Sequence, residues 1–293
     1  MLSFTEVGAQ PKQQVELFCG ADLYYADVNF IRLYNVLINL TPGVKYHMGH
    51  DWQIAAQAEL PIVNDGYAKR YNMIRLSYAA VSKQIHFNKA SQHFKITAGL
   101  FGSERYGGDV QWMYPVNSWL LFNAQLGLVR DWCLGFDFDS NTECDFGTKW
   151  HSLALIGGRI WLDPWHTELR ATGGRYLGND YGMECEAVRH FKHTSISLFY
   201  QLHEPTSSVY RKRSHKQTGG FRLTVMLPPY KKSGKKVVFR PASNFSMAYY
   251  AQSGDGTMQS YFADPEDNIR TNPVDVPWGT GNFEENQPVD VEE

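Results

Sequence analysis

Hydrophobic and polar residues alternate one by one along several stretches of this chain, most clearly between Trp165 and Leu227. In one of these stretches Glu168 and Arg170 stand on either side of Leu169. Alternation with a period of two, sustained over about ten residues, indicates β-strands with one face in an apolar medium and the other in a polar medium. A tilted strand needs roughly 9–11 residues to cross a bilayer, which is the length of these stretches.

The same pattern extends over most of the chain and predicts an all-β fold. Merging adjacent pieces gives about 12–14 strands, and the connections are too short for helical crossovers, so the strands should be antiparallel. We therefore expect residues 1–263 to form a single antiparallel transmembrane β-barrel. The predicted strands cover residues 14–20, 30–40, 43–49, 51–61, 71–80, 93–101, 106–113, 117–128, 130–137, 148–161, 165–174, 181–190, 194–202, 219–228 and 236–251.

The connections between these strands alternate in length. Residues 161–165 and 191–193 form tight turns, whereas residues 174–180 and 203–219 form longer links. This alternation is typical of barrels that have short periplasmic turns at one end and longer extracellular loops at the other.

Residues 264–293 differ in character from the rest of the chain. They are rich in Asp and Glu and contain scattered prolines. Such a composition favours an irregular or disordered segment outside the barrel. The tail is either a solvated extension or a contact for other envelope proteins.

Composition narrows the classes of function. A formal net charge of −2 provides no basic field that would attract nucleic acid. The aromatic share of 14% suits a barrel, where Trp and Tyr form girdles at both membrane interfaces. No apolar run is long enough for a spanning helix, and no secretory leader follows Met1. Because an outer-membrane protein must be exported, we expect that a leader has been removed.

Two segments carry a family resemblance. The first is Gly174-Arg175-Tyr176-Leu177-Gly178-Asn179-Asp180-Tyr181-Gly182 with the strand Glu184 to Phe191, and the second is Gly219 to Pro228 followed by Phe239-Arg240-Pro241. Over residues 155–250 the chain resembles the YjbH-like family of outer-membrane β-barrels linked with exopolysaccharide production. The resemblance implies a barrel in the outer membrane of a Gram-negative bacterium, with polysaccharide as a partner and no transferable catalytic residues.

If the apolar side chains face lipid, the alternating polar side chains line the barrel lumen. On three of four consecutive predicted strands they form a candidate lumen charge cluster, which could be an ionic plug or a polar path for a charged glycan. The cluster comprises Glu168, Arg170, Glu184, Glu186 and Arg222, and the further lumen candidates are Gln53, Gln57, Glu59, Arg75, Lys95 and Gln125.

A basic segment lies in the long connection after residue 203. An extracellular position would let it bind lipopolysaccharide phosphates or an acidic glycan, and a solvated loop is the alternative. Its members are Arg211, Lys212, Arg213 and Lys216.

The segment after residue 132 holds two further candidates. Cys133 and Cys144 could form a disulfide in an oxidising compartment. Asp137, Asp139 and Asn141 are spaced like calcium ligands, but Thr142 replaces the usual glycine and a bidentate Glu is missing, so we expect no metal.

We expect no enzymatic activity and no cofactor, because the chain lacks a Gly-x-Ser-x-Gly elbow and a phosphate-binding glycine loop. The hypothesis is a non-enzymatic outer-membrane β-barrel that assists exopolysaccharide export or a cell-surface assembly. Two alternatives stay open. One is a barrel subunit of a larger envelope secretion or motility complex with its periplasmic tail as a contact, and the other is a soluble carbohydrate-binding β-sandwich.

Overall fold

A computed structural model of the chain describes most of its residues. The described ranges are 14–26, 35–65, 69–87, 92–102, 105–132, 135–136, 149–191, 194–204, 217–225, 237–240 and 245–250, together with Tyr261 and Ala263. The basic segment, the cysteine pair, the calcium-like loop and the acidic tail lie outside the described residues.

The described residues are almost entirely β-structure, as the alternation predicts. Among them, no helix is long and apolar enough to cross a membrane. Two 3₁₀ turns interrupt the strands, at Lys69–Asn72 and Asp163–Trp165. The strands are β1 Gln14–Ala26, β2 Asn35–Gly49, β3 Trp52–Asp65, β4 Ile74–Phe87, β5 Gln92–Phe101, β6 Arg105–Pro115, β7 Leu120–Asp131, β8 Gly135–Phe136, β9 Trp150–Leu162, β10 Thr167–Arg175, β11 Tyr181–His190, β12 Thr194–Glu204, β13 Gln217–Val225, β14 Val237–Arg240 and β15 Phe245–Tyr250.

All fifteen strands belong to one sheet, in which neighbours in sequence are mostly neighbours in space. From β1 to β13 each strand pairs antiparallel with the next, except that the two-residue β8 lies outside this order. It pairs antiparallel with β4. β13 also pairs antiparallel with β15. The expectation of an all-β, antiparallel sheet is therefore confirmed.

Strand β1 has partners on both of its edges. On one edge it pairs antiparallel with β2 along its whole length, Gln14–Ala26. On the other edge it pairs in parallel, first with β14 over residues 15–18 and then with β15 over residues 21–22. The first and last described strands therefore lie side by side.

The connections at the two ends of the sheet differ in length. At one end of the sheet, β2, β4, β6, β9 and β11 finish. The links from these strands to β3, β5, β7, β10 and β12 are two to four residues long. We call this the short-turn end. At the opposite end the links from β3, β5, β7, β10 and β12 range from three to eighteen residues, with β8 inside the longest one. We call this the long-loop end.

The two faces of the sheet show the reverse of the burial seen in water-soluble proteins. Lys95 is 0% exposed and lies on the same face as other buried charged and amide side chains, which we call the polar face. Leu126 is 60% and Ile156 65% exposed on the opposite, apolar face. Buried members of the polar face are Glu16, Lys45, Gln53, Gln57, Arg75, Asp109, Glu168 and Glu186, and exposed members of the apolar face are Leu17, Val44, Ile54, Val81, Ile96, Val110, Leu128, Leu169, Ile196, Leu198 and Phe221.

A small apolar cluster interrupts the polar face. Two of its members, Tyr261 and Ala263, come from beyond the last strand, and two others, Tyr176 and Leu177, come from the link between β10 and β11. The strands contribute Ala55, Tyr78, Ala80, Phe101, Val129 and Leu153.

The absence of a side chain at Gly43 makes room for the buried ring of its cross-strand partner, Phe18. A Cβ at this position would lie 2.3 Å from Phe18 Cζ and 2.9 Å from the carbonyl oxygen of Ala56. We expect Gly43→Ala to lower the free energy of unfolding by about 1–3 kcal/mol, because overpacking displaces a ring that has no free space. Denaturant titration followed by tryptophan fluorescence measures this change.

The double variant Gly43→Ala/Phe18→Leu should recover part of the lost stability, because the shorter side chain leaves room for the methyl group. An unfolding midpoint of Gly43→Ala equal to that of the wild type would contradict the close packing of Phe18.

Candidate functional site

Strand register brings the predicted lumen charge cluster together. Arg170 on β10 stands opposite Glu186 on β11, and Ser197 on β12 stands opposite Arg222 on β13. Because side chains two residues apart in a strand share a face, Glu168 and Glu184 project to the same side. All five predicted members lie on the polar face, where they form a continuous network across four strands.

Glu186 is at the centre of this network. Its Oε1 accepts hydrogen bonds from Arg222 Nη1 at 2.6 Å and from Ser197 Oγ at 2.8 Å. Its Oε2 lies 3.6 Å from Arg170 Nη1. The carboxylate is thus satisfied on both oxygens, which offsets the cost of removing it from water.

Glu184 binds the same arginine. Arg222 Nη1 lies 3.3 Å from Glu184 Oε1, and Gln201 Nε2 donates to Glu184 Oε2 at 2.5 Å. The Arg222 guanidinium also lies over the ring of Phe199, 4.2 Å from its centroid. A guanidinium with two carboxylates and an aromatic face has little rotational freedom, so Arg222 joins β11, β12 and β13 rigidly.

Glu168 forms the part of the network nearest the short-turn end. Arg170 Nη2 donates to its Oε2 at 2.6 Å, and Arg159 Nε lies 3.8 Å from its Oε1. His190 Nε2 lies 3.4 Å from Oε2, and the His190 ring is 5.4 Å from that of Trp161. The network therefore balances three carboxylates, at positions 168, 184 and 186, against three guanidiniums, at positions 159, 170 and 222.

A second polar cluster lies on β5–β7. Asp109 Oδ2 accepts hydrogen bonds from Gln125 Nε2 at 2.8 Å and from the Tyr261 hydroxyl at 2.6 Å. Burial, and then the Asp109 carboxylate beside it, raise the pKa of Tyr261 above its ordinary value, so the phenol stays protonated and donates. Farther along the sheet, Arg75 donates to Glu59 at 2.6 Å.

The remaining predicted lumen residues also lie on the polar face. Gln53, Gln57, Arg75 and Lys95 are buried, while Glu59 and Gln125 are partly buried. Arg211, Lys212, Arg213 and Lys216, the Cys133 and Cys144 pair, and Asp137, Asp139 and Asn141 lie outside the described residues. The two described cysteines, Cys19 and Cys185, are free thiols, and Cys185 is exposed on the apolar face.

Several residues of the network were not among the predicted site residues. Arg159, His190, Ser197 and Gln201 all occupy alternate positions of predicted strands, so a complete reading of the alternation would have included them. Asp109 alternates with Val110 in the same way. Tyr261 could not have been found from the pattern, because it lies beyond the last strand and no local signal places it against β6.

The chemistry of the network is that of paired charges and amides. Within the described ranges no three His, Cys, Asp or Glu side chains are arranged to hold a metal ion. Each carboxylate of the network has a guanidinium partner, so the network offers hydrogen bonds without a large net charge.

Comparison with known proteins adds no relative: no family model, no curated protein and no solved structure matches this chain.

Removal of Arg222 tests whether the network stabilises the sheet. We expect Arg222→Leu to lower the free energy of unfolding by about 3 kcal/mol or more, because it removes the guanidinium that pairs with the buried carboxylate of Glu186 and with the partly buried carboxylate of Glu184. Urea titration of the detergent-solubilised protein, followed by tryptophan fluorescence, measures the change. The matched control is Arg189→Leu on β11, since Arg189 is exposed and should cost less than about 1 kcal/mol.

Equal losses for the two variants would show that Arg222 contributes no more than a surface arginine. Adding Glu186→Gln to Arg222→Leu should restore part of the stability, since it removes one of the uncompensated charges.

Proposed function

We propose that the protein is a non-enzymatic outer-membrane β-barrel of a Gram-negative bacterium that assists exopolysaccharide export or a cell-surface assembly. The observation that carries the proposal is the reversed burial of the sheet, with ionised side chains on the buried face and aliphatic side chains on the exposed face. In water this arrangement is unfavourable on both faces, whereas in a bilayer it is favourable on both.

The extent of the exposed apolar face supports a lipid environment. Soluble monomers seldom expose contiguous apolar patches larger than a few hundred Å². Here exposed Leu, Ile, Val and Phe side chains occur on almost every strand from β1 to β13. A soluble carbohydrate-binding β-sandwich would bury this face between two sheets, and all the described strands belong to one sheet.

Closure of the sheet is supported by the pairings of β1. This strand has β2 on one edge and β14 and β15 on the other, which is the pairing expected of a first strand in a closed sheet. Curling of the sheet around its polar face would also explain why that face is buried although no second sheet covers it in the described residues. Closure removes exposed strand edges, which the hydrocarbon core of a membrane does not tolerate.

Aromatic side chains at the two ends support a membrane position. Exposed Trp52, Trp119, Trp165 and Phe191 lie at the short-turn end, and exposed Trp150 and Tyr181 lie at the long-loop end. Aromatic girdles at both interfaces are typical of outer-membrane barrels. The girdles do not distinguish the two ends, but the lengths of the links do: the short-turn end would face the periplasm and the long-loop end the cell exterior.

Polysaccharide as the cargo is supported by the resemblance of residues 155–250 to the YjbH-like family. The charge network occupies this same part of the chain, since it extends from Arg159 to Arg222. Its paired charges and amides supply the donors and acceptors that a hydroxyl-rich chain would require.

A charge placed on the apolar face distinguishes a membrane barrel from a soluble protein. Leu198, on β12, is 66% exposed. In water, Leu198→Arg should change stability by no more than about 0.5 kcal/mol. In a bilayer it should cost about 2–4 kcal/mol. We expect poor folding of this variant into phosphatidylcholine vesicles, measured by flotation and by the faster electrophoretic migration of unheated barrels.

The control is Val116→Arg, which places the same charge on an exposed apolar residue in the turn between β6 and β7. This variant should fold into vesicles like the wild type. Equal folding of both variants, or a wild-type protein that does not float with vesicles, would overturn the membrane assignment.

The role in polysaccharide export is tested in cells that lack the gene. We expect these cells to release several-fold less polymer, because export needs a route through the outer membrane. Measurement of hexose in the culture supernatant checks this. Wild-type and Val116→Arg genes should restore export and Leu198→Arg should not. Unchanged polymer in the deletion strain, with the protein located in the outer membrane, would reject the export role and favour a surface assembly.

A further inference from the structure

The segment beyond the last strand places an aromatic side chain on the polar face. Tyr261 is 4% exposed, and its ring stacks on that of Phe101 with centroids 5.1 Å apart and an angle of 15° between the planes. Its hydroxyl donates to Asp109 Oδ2 at 2.6 Å. Stacking and a charge-assisted hydrogen bond together fix both ends of the side chain.

Gly127 on β7 provides the space for the phenol. A Cβ at this position would lie 1.5 Å from the Tyr261 hydroxyl oxygen and 2.7 Å from Cζ. The backbone of β7 is therefore in close contact with the ring, and any side chain larger than hydrogen would displace it. The ring thus touches β5, β6 and β7 at Phe101, Asp109 and Gly127.

A second contact holds the same segment two residues later. Tyr78 on β4 donates from its hydroxyl to the carbonyl oxygen of Ala263 at 2.9 Å, and Ala263 is fully buried. Tyr176 and Leu177, from the link between β10 and β11, are buried in the same apolar cluster. The His151 ring lies on this side too, with Nδ1 3.1 Å from the carbonyl oxygen of Leu177.

These contacts form a layer of side chains from several parts of the sheet. The apolar cluster has members on β3, β4, β5, β7 and β9 as well as in the β10–β11 link. The charge network covers the polar face of β9–β13. The apolar cluster and the charge network thus occupy different parts of the polar face.

We propose that Tyr261 and Ala263, together with the apolar cluster in which they are buried, form an internal plug that closes the lumen, held in place by Asp109, Phe101, Gly127 and Tyr78. This inference rests on the proposed function, because a plug requires a closed barrel around it. Release of Tyr261 from Asp109 opens the passage on the side of β4–β7, while the charge network keeps the opposite wall rigid. The plug belongs to the chain itself and closes the barrel in the absence of cargo.

The experiment uses the full-length chain with its four cysteines replaced by serine and with Ala263→Cys as a reporter. Gly127→Ala is the test variant. The matched control is Gly108→Ala on the neighbouring strand β6, since a Cβ at Gly108 would have no atom within 4 Å. Alkylation of the reporter by a water-soluble maleimide in detergent measures release of the segment, and conductance in planar bilayers measures opening.

We expect Gly127→Ala to raise the alkylation rate of the reporter on the order of tenfold or more. A methyl group at this position would displace the phenol and break its hydrogen bond to Asp109, and the loss of one hydrogen bond to a charged group corresponds to a ratio of this size. The conductance of this variant should also exceed that of the wild type. Gly108→Ala should match the wild type in both measurements. Tyr261→Ala, which leaves every strand of the barrel intact, should reproduce the effects of Gly127→Ala.

Three results would overturn the plug. The first is equally slow alkylation in the Gly127→Ala and Gly108→Ala variants. The second is fast alkylation with unchanged conductance, and the third is a Tyr261→Ala variant that conducts like the wild type. Failure of every variant, including the wild type, to insert into vesicles would instead reject the proposed function, while the alkylation rates would still decide whether Tyr261 holds the segment inside.

Discussion

The structure depends on one constraint, which is that every ionised side chain on the polar face needs a partner of opposite charge or a hydrogen-bonding group. A lone carboxylate removed from water costs several kcal/mol, and a nearby guanidinium offsets this cost only when the geometry is good. Glu168, Glu184 and Glu186 meet this condition through three arginines and the side chains of Ser197 and Gln201. The register of β10–β13 is therefore specified by charge pairing on one face as much as by apolar residues on the other.

The two parts of the polar face meet this constraint in different ways. On β9–β13 the charges neutralise one another, and Arg222 links β13 to β11, which is not its direct neighbour. On β5–β7 Asp109 is satisfied by an amide and by a phenol from a remote part of the chain. The first arrangement is complete within the sheet, whereas the second depends on a segment that lies beyond the last strand.

The alternation of residues was sufficient to predict the all-β fold. It also predicted the face of the sheet on which five charged side chains lie, because with a period of two the face of one side chain determines that of every other in the strand. These side chains are Glu168, Arg170, Glu184, Glu186 and Arg222. The alternation divided β2 into two predicted strands, 30–40 and 43–49, with a gap at Thr41 and Pro42, although the pairing with β1 continues across these two residues. Pairing partners such as Arg159 for Glu168 depend on register, which the pattern of one strand does not determine. The position of Tyr261 depends wholly on tertiary contacts.

The parallel contact between β1 and the last strands has a consequence for folding kinetics. Ala21 pairs with Phe245, so the first strand cannot complete its pairing until almost the entire polypeptide has been synthesised. Contacts so distant in sequence are slow to form, because the loop-closure entropy must be overcome first. Until then the unpaired edge of β1 is available to other chains, and a chaperone that covers extended edges would protect the newly made protein from aggregation.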